Sequence, residues 1–434
     1  MNPLCSLLKP FNLQSLFKNV SFNTHSPDIR PIHNFYNKYT KSPYVPIQAH
    51  GPWILTNEHK IIYDTGGYGM LGFGHNPDWL LQTLQKPHVM ANVMTPSYEQ
   101  EKIGNLLKQH TKYNQFSFLN SGSEGIECTM RILDKLTYEN NTSNKDSCFV
   151  NLESCFHGRT FMAASLSGSC KNIYKQTEYL QKSTNNVISV PINDIDSFIK
   201  KIGELLPNKY ISGIIMEPVM GEGNPGQAIT SDFYNCVRKI SKENSIPLVI
   251  DSVQAGIRTN GCLSITNYPG FEKYDIPDFE IFSKAITNGH YPLSIIGIHK
   301  QYENLNLEGL YGNSMCANPK ALDVCYETLS RVNVHVRDNI IEKGVSLKKM
   351  LIKLQKKHPT IITKITGTGL LVSAEINETI NVWGRESLET FLRMNGLNVI
   401  HGGQNALRFT PHFNITDKEI NLIYSILSKV FNNL

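Results

Sequence analysis

FEIFSKAITNGHYP, at residues 279–292, is the stretch that decides the fold, and PLVIDSVQAG, at residues 247–256, is its counterpart upstream. Each begins as a short, nearly continuous apolar run, which is typical of a strand buried on both faces of a sheet. The first run ends near Lys284 and the second at Asp251. Because parallel strands end at the same edge of a sheet, the two stretches predict an amine and a carboxylate at that edge.

A lysine and an aspartate at one sheet edge are what an enzyme needs to hold pyridoxal phosphate (PLP). The lysine amine forms a Schiff base with the cofactor's aldehyde, and the aspartate keeps the pyridine nitrogen protonated so that the ring accepts electrons. A single lysine after an apolar run is usually the solvated end of a strand. The interpretation therefore depends on other residues that fit the same cofactor.

Residues 115–300 alternate short apolar runs with longer amphipathic ones. The predicted strands are residues 116–119, 148–152, 211–216, 247–250, 279–282 and 293–298. Helical patterns lie between several of them, for example at residues 194–206 and 231–243. This alternation predicts an α/β fold in which helices cover both faces of a parallel sheet.

After Pro319 the regular alternation of apolar strands and amphipathic helices ends. A long helical stretch runs to about Lys357, short strands and helices follow, and the last helix begins with a capping box at residues 416–419. This pattern predicts a second, smaller α+β domain. We expect an N-terminal extension and part of the small domain at residues 1–75, a large PLP-binding domain at residues 76–325, and the C-terminal small domain at residues 326–434.

Composition excludes several classes of function. The net charge of +5 is slight for 434 residues, and the basic residues are scattered, so nucleic-acid binding is not indicated. No apolar run approaches the roughly 20 residues that cross a bilayer, so no membrane association is expected. The nine cysteines show no metal-ligand spacing, so we expect no metal site and a reducing compartment.

The N-terminal segment bears on location. The first 27 residues lack Asp and Glu, as a transit peptide for a mitochondrion or another organelle does, but no arginine precedes Arg30. We therefore expect a flexible or docking extension on a cytoplasmic protein.

The sequence NSGSEG, at residues 120–125, follows a predicted strand and begins a helix. Backbone N–H groups at a helix N-terminus attract an anion, so Ser121, Gly122 and Ser123 are candidates for binding the cofactor phosphate. The alternative interpretation is an ordinary N-cap turn.

The sequence CFHGRT, at residues 155–160, follows the next strand. Phe156 is suited to stacking on a pyridine ring. His157 is expected beside the cofactor, without an acid–base role. Arg159 is suited to bidentate capture of a carboxylate, and the alternative is a structural salt bridge.

A third strand end, EPVMGEG at residues 217–223, brings two carboxylates to the same edge of the sheet. Glu217 and Glu222 lie on one glycine-containing turn. We expect one of them to orient the loop and the other to face the substrate, and Glu217 is counted among the residues at the cofactor.

Taken in order, these five motifs resemble the class III aminotransferase family, which includes the ornithine, acetylornithine and 4-aminobutyrate enzymes. The resemblance runs from about residue 45 to the C-terminus. It implies PLP fold type I, in which a large domain with a mostly parallel seven-stranded sheet is joined to a smaller α+β domain. One departure is Ser252, because the family usually has Glu directly after the pyridinium aspartate.

The resemblance also implies a role for each matching residue. The implied cofactor contacts are Lys284 as the Schiff-base lysine, Asp251 as the pyridinium partner, Phe156 and Val253 as the residues that sandwich the ring, Gln254 as the donor to its phenolic oxygen, and Gly122 and Ser123 as the phosphate-binding turn. The family takes one phosphate contact from the neighbouring subunit, and Ser314 offers the hydroxyl here. A homodimer with shared active sites is therefore implied.

The implied substrate contacts are three charged residues. Arg408 matches the arginine that binds the α-carboxylate of glutamate, and Glu222 matches the glutamate that masks this arginine while the amino donor is bound. With Arg159, the set implies transfer of an amino group, often a terminal (ω) one, to 2-oxoglutarate. The alternatives are another PLP reaction on the same fold, namely an aminomutase, racemase or decarboxylase, and a non-catalytic relative that only binds.

Overall fold

The computed structural model describes residues 44–90, 94–384 and 386–434, together with residues 8, 11, 13, 16 and 17. Apart from these isolated residues, the predicted N-terminal extension lies outside the described part of the chain. The strands are β1 (Pro46–His50), β2 (Trp53–Thr56), β3 (Ile61–Asp64), β4 (Gln115–Leu119), β5 (Asp146–Leu152), β6 (Val187–Val190), β7 (Lys209–Met216), β8 (Leu248–Asp251), β9 (Phe279–Phe282), β10 (Ser294–Ile298), β11 (Ile362–Thr368), β12 (Leu371–Ile376), β13 (Leu397–Asn398), β14 (Ile400–Gly402) and β15 (Ala406–Phe409).

The α-helices are α1 (Asp78–Leu84), α2 (Tyr98–His110), α3 (Gly122–Asn140), α4 (Phe161–Ser165), α5 (Lys171–Tyr174), α6 (Glu178–Thr184), α7 (Ile195–Leu205), α8 (Ser231–Glu243), α9 (Pro319–Ser330), α10 (Val334–Lys357), α11 (Leu388–Met394) and α12 (Asp417–Phe431). Within the described residues, no helix is both long and apolar enough to cross a membrane.

The largest sheet of the described residues has seven strands in the order β4-β10-β9-β8-β7-β5-β6. Neighbouring strands from β6 to β9 pair in parallel, whereas β10 is antiparallel to both β4 and β9. The connection from β9 to β10, residues 283–293, holds only a short 3₁₀ turn and is too short for the crossover that a parallel pair requires. The predicted α/β fold with a mostly parallel sheet is confirmed.

Both faces of this sheet are covered, as the apolar strands predict. In β8, Leu248 and Ile250 pack in a cluster with α7 and α8, while Val249 packs with α3 on the other face. All three side chains are fully buried. Alternate residues therefore contribute to separate cores, and no polar face is left on the strand.

The two ends of the chain pack together beside the large sheet. Strand β3 pairs in parallel with β13 in a four-stranded sheet, and β11, β12, β15 and β14 form a second one. The long helical stretch predicted after Pro319 consists of two helices, because Asn333 caps the N-terminus of α10 and ends the helical path between them. The predicted capping box at the start of α12 is present, with Thr416 and Glu419 as its partners.

Candidate active site

A cavity of about 390 Å³ opens at the carboxyl edge of the large sheet. Lysine and aspartate arrive there from neighbouring strands, since Asp251 ends β8 and Lys284 lies two residues after β9. The predicted residues that line this cavity are Ser121, Gly122, Ser123, Phe156, His157, Asp251, Val253, Gln254 and Lys284. The other predicted residues, Glu217, Ser314, Arg159, Glu222 and Arg408, lie outside the lining.

Lys284 is held in an unusual backbone conformation. Its φ of 54° lies in the left-handed region, which is uncommon for residues other than glycine and is costly unless neighbours enforce it. Two hydrogen bonds do so, from Ser283 Oγ to the Leu293 carbonyl and from Thr287 Oγ1 to the Tyr291 carbonyl, each 2.6 Å long. Burial, and then the positive charge of Arg408, lower the pKa of Lys284 to about 8. A substantial fraction of the amine is therefore neutral at mildly alkaline pH.

Asp251 is buried and has two partners. One carboxylate oxygen accepts from the backbone N–H of Val253 at 3.1 Å, and the other lies 2.8 Å from His157 Nδ1. Burial alone would lower the pKa of His157, but Cys155 and the hydrogen bond to Asp251 outweigh burial and raise the pKa well above its usual value. Within the described part of the chain, the buried Nε2 of His157 has no partner. A carboxylate oxygen of Asp251 and a His157 ring of raised pKa are therefore in direct contact at this edge of the sheet.

The predicted phosphate turn begins α3. Ser121 Oγ caps the helix by accepting from Glu124 N at 3.2 Å. Glycine is required at two positions, because a Cβ on Gly122 would lie 2.8 Å from Val253 Cγ1 and one on Gly158 would lie 2.2 Å from Ser123 Oγ. Gly122 and Ser123 line the cavity at the N-terminus of α3, where backbone N–H groups and the helix dipole favour an anion.

Arg408 and Glu222 form an ion pair next to the cavity. Arg408 Nη1 donates to Glu222 Oε2 at 2.7 Å and to Gln254 Oε1 at 3.3 Å. The side chain of Arg408 is 1% exposed and that of Glu222 is 29% exposed. Glu222 thus covers the guanidinium on the solvent side, while Gln254 connects the guanidinium to the cavity wall.

Glu217 lies behind the wall. Its carboxylate accepts from Phe156 N at 3.0 Å and from Gly221 N at 2.8 Å, which ties the aromatic wall to the turn that carries Glu222. Burial raises the pKa of Glu217 to about 7, against the opposing effect of His157. Glu217 thus has the geometry expected of the carboxylate that orients the loop.

Arg159 and Ser314 are exposed near the rim. The guanidinium of Arg159 lies 5.6 Å from the centroid of the Phe156 ring. Beside Ser314, the side chain of Asn313 accepts from Asn120 at 3.1 Å, so the loop of Ser314 borders the phosphate turn of its own chain. The role assigned to Ser314 in a neighbouring subunit stays a prediction.

The opposite wall contains residues that the sequence reasoning did not assign, including Met70, His290 and Tyr291. His290 Nε2 accepts from Asn76 N at 2.9 Å, so its proton lies on Nδ1, which is 2.7 Å from the Asn288 carbonyl oxygen. Burial lowers the pKa of His290, which favours the neutral ring. The signal was present in the sequence, since His290 and Tyr291 belong to the same stretch as Lys284.

The cavity fits PLP. Its lining combines the carboxylate of Asp251, the amine of Lys284, the side chains of Phe156 and Val253, and the helix N-terminus at residues 122–123. The glycines allow the segments that carry these groups to pack closely together.

Comparison with known proteins gives a consistent result. Residues 35–431 match the profile of the family described as aminotransferase class-III. The acetylornithine aminotransferase of Prochlorococcus marinus is 28% identical over 409 residues, which cover 92% of this chain and 94% of that protein. The ornithine aminotransferase of Plasmodium falciparum is 26% identical over 404 residues, covering 91% and 92%.

Solved structures share the fold. The ornithine aminotransferase of Toxoplasma gondii ME49 superposes with a TM-score of 0.79 at 19% identity, over 94% of this chain and 99% of that one. A second structure of the Toxoplasma gondii enzyme, with a TM-score of 0.77 at 19% identity over 93% of this chain and 92% of that one, has PLP at partial occupancy in its active site.

Proposed function

The chain belongs to the class III aminotransferases, which are PLP-dependent enzymes, and from that premise we propose that it moves a terminal amino group to 2-oxoglutarate. The compatible donors are ornithine, acetylornithine, lysine, diaminobutyrate and 4-aminobutyrate. The observation that carries the proposal is the ion pair of Arg408 with Glu222 at 2.7 Å, beside a cavity that contains Lys284 and Asp251.

The proposed contacts of the cofactor follow from the cavity. When bound, PLP supplies an electron-withdrawing ring that takes up the charge left as a proton leaves the carbon next to nitrogen. Asp251 would hold the proton at the ring nitrogen, and the buried His157 lies 2.8 Å from its carboxylate. Phe156 and Val253 enclose the ring, and the N-terminus of α3 binds the phosphate.

Lys284 is the residue that moves a proton. Because burial lowers its pKa to about 8, the amine reaches its neutral form without strongly alkaline conditions. With PLP bound, the neutral amine of Lys284 would act as the base that removes the proton from the donor carbon and that returns it in the second half of the transfer.

The Arg408–Glu222 pair distinguishes the two substrates. While Glu222 covers Arg408, the α-carboxylate of a donor cannot bind there, so a donor enters with its terminal amine toward Lys284. 2-Oxoglutarate carries two carboxylates, and one of them displaces Glu222 from Arg408. Arg159, at the rim beside Phe156, is placed to receive the other.

A homodimer is part of the proposal. Apolar side chains are exposed at and near the Ser314 loop, where Met315 is 46% exposed and Tyr98, which shares a groove with Ala317, is 86% exposed. A surface of this kind is typical of an interface. Sedimentation of the purified protein tests the assignment, and a monomer at micromolar concentration would contradict it.

The experiment that tests the reaction uses donors labelled with ¹⁵N at the terminal amine, each incubated with the enzyme, PLP and 2-oxoglutarate. We expect ¹⁵N-glutamate from at least one donor, and none from a donor labelled only at the α-amine. Loss of donor without labelled glutamate would indicate an aminomutase, racemase or decarboxylase instead.

A further inference from the structure

The turn at residues 251–254 carries three of the proposed cofactor contacts. Asp251, Val253 and Gln254 all line the cavity. Ser252 lies between them, is 1% exposed, and is not part of the cavity lining. Its backbone N–H donates to the Ile281 carbonyl at 2.9 Å, so the residue adjoins strand β9.

Behind this turn lies a buried carboxylate that the proposed reaction does not use. Glu280, in β9, is 0% exposed. Its Oε1 accepts from Ser252 Oγ at 2.6 Å and from Ile265 N at 2.9 Å, and its Oε2 accepts from Ser264 Oγ at 2.5 Å. These three donors, none of them a cation, bind one carboxylate inside the protein, and the buried Tyr113 hydroxyl also faces it.

Such a group is destabilising, since removing a carboxylate from water is unfavourable unless its hydrogen bonds are complete. Burial raises the pKa of Glu280 to about 7, although the hydrogen bonds from Ser252 and Ser264 oppose this effect. An apolar side chain at this position would make strand β9 wholly apolar without the unfavourable burial of a carboxylate. The arrangement of the donors indicates what the carboxylate does, because they come from two separate segments that it joins.

We propose that Glu280 is a positioning residue, which acts through Ser252 to fix the turn that presents Asp251, Val253 and Gln254 to the cofactor. The inference rests on the proposed placement of PLP in the cavity. Ser264 and Ile265 form the fixed side of the contact, at the start of the 3₁₀ turn Ile265–Asn267. Ser252 forms the other side, next to the residue that must reach the pyridine nitrogen.

The test compares two serines that bind buried charged groups. Ser252→Ala removes the hydroxyl that joins the turn to Glu280. Ser241→Ala is the matched control, because Ser241 is also 0% exposed and accepts from Arg238 Nη1 at 3.1 Å near Asp278, which precedes β9 at the opposite end from Lys284. Glu280→Gln removes the charge and keeps the shape.

Three quantities are measured for each variant: the dissociation constant of PLP from the apoenzyme, the visible circular dichroism per bound PLP, and the thermal unfolding temperature of the apoenzyme. We expect Ser252→Ala and Glu280→Gln to raise the dissociation constant about tenfold and to change the dichroism of the bound ring. Ser241→Ala is expected to lower the unfolding temperature alone.

Equal effects of Ser252→Ala and Ser241→Ala on PLP binding and dichroism would overturn the proposal, because a purely structural role predicts that result. If Glu280→Gln does not fold, the pair of serine variants still decides. If the unaltered protein binds no PLP, the cofactor assignment fails and the inference fails with it. If the unaltered protein binds PLP and Ser252→Ala behaves as the control, only the inference is overturned.

Discussion

Replacing Glu222 by Gln is expected to make the enzyme bind 2-oxoglutarate more tightly. Glu222 Oε2 lies 2.7 Å from Arg408 Nη1, which is buried and also donates to the Gly221 carbonyl oxygen and to Gln254. Glu222 is therefore the charged part of the cover over this cation. In Glu222→Gln the amide still accepts a hydrogen bond from the charged guanidinium, but the Coulomb attraction of the carboxylate, which contributes about 1 kcal/mol for a partly exposed ion pair, is lost. An amide should therefore weaken the cover by about 1 kcal/mol, or about fivefold.

Because 2-oxoglutarate must displace Glu222 from Arg408, the expected result is a fall of about fivefold in its KM. The kcat/KM of the terminal amine donor should not rise, because the donor gains a competing site for its α-carboxylate. Steady-state kinetics with each substrate varied in turn measure both effects. Glu178→Gln, which alters an exposed ion pair with Lys182 on α6, is the control. An unchanged KM for 2-oxoglutarate in Glu222→Gln would refute the proposed switch.

Four further results are expected. Lys284→Ala should abolish turnover and the visible absorbance of the bound cofactor, and retained activity would contradict its role. Gly158→Ala should weaken PLP binding at least tenfold, because Gly158 has a φ of 127° and the new Cβ would lie 2.2 Å from Ser123 Oγ. Its control is Gly203→Ala, which should leave PLP binding unchanged because nothing lies within 4 Å of the new Cβ. Since Lys284 has a pKa of about 8, uptake of PLP by the apoenzyme should accelerate as pH rises through about 8, and a flat profile in stopped-flow mixing would argue against a neutral amine as the reacting form. Burial raises the pKa of Glu280 to about 7, above roughly 4.3 in the unfolded chain. Its contribution to the free energy of unfolding is therefore complete below about pH 4.3 and is lost as pH rises through about 7. Glu280→Gln should flatten the fall in unfolding temperature over this range, and an unchanged slope would mean that Glu280 does not titrate there.

The large sheet was predictable because its strands are almost wholly apolar. At residues 279–282 the predicted and observed bounds coincide. Strand β6 (Val187–Val190) was missed, since it is an edge strand of four residues, interrupted by Ser189 and only partly buried. The antiparallel direction of β10 depends on the length of a connection, which apolar periodicity does not report.

The cavity was predictable to the extent that its residues follow strands. Lys284, Asp251 and Phe156 each lie at or just after a strand end, and they meet in the cavity as the rule for parallel sheets requires. The role of Glu280 could not be predicted, because it lies within an apolar run and nothing in the sequence indicates which groups donate hydrogen bonds to its carboxylate. Its link to Ser252, where the family pattern usually has Glu, appears only in three dimensions.

The central claim is tested most directly by the absorbance of the purified enzyme with bound PLP. The account predicts a visible band that disappears when a terminal amine such as ornithine is added, and that returns when 2-oxoglutarate follows. A band that a donor removes and that 2-oxoglutarate fails to restore would contradict transamination while leaving the cofactor site intact.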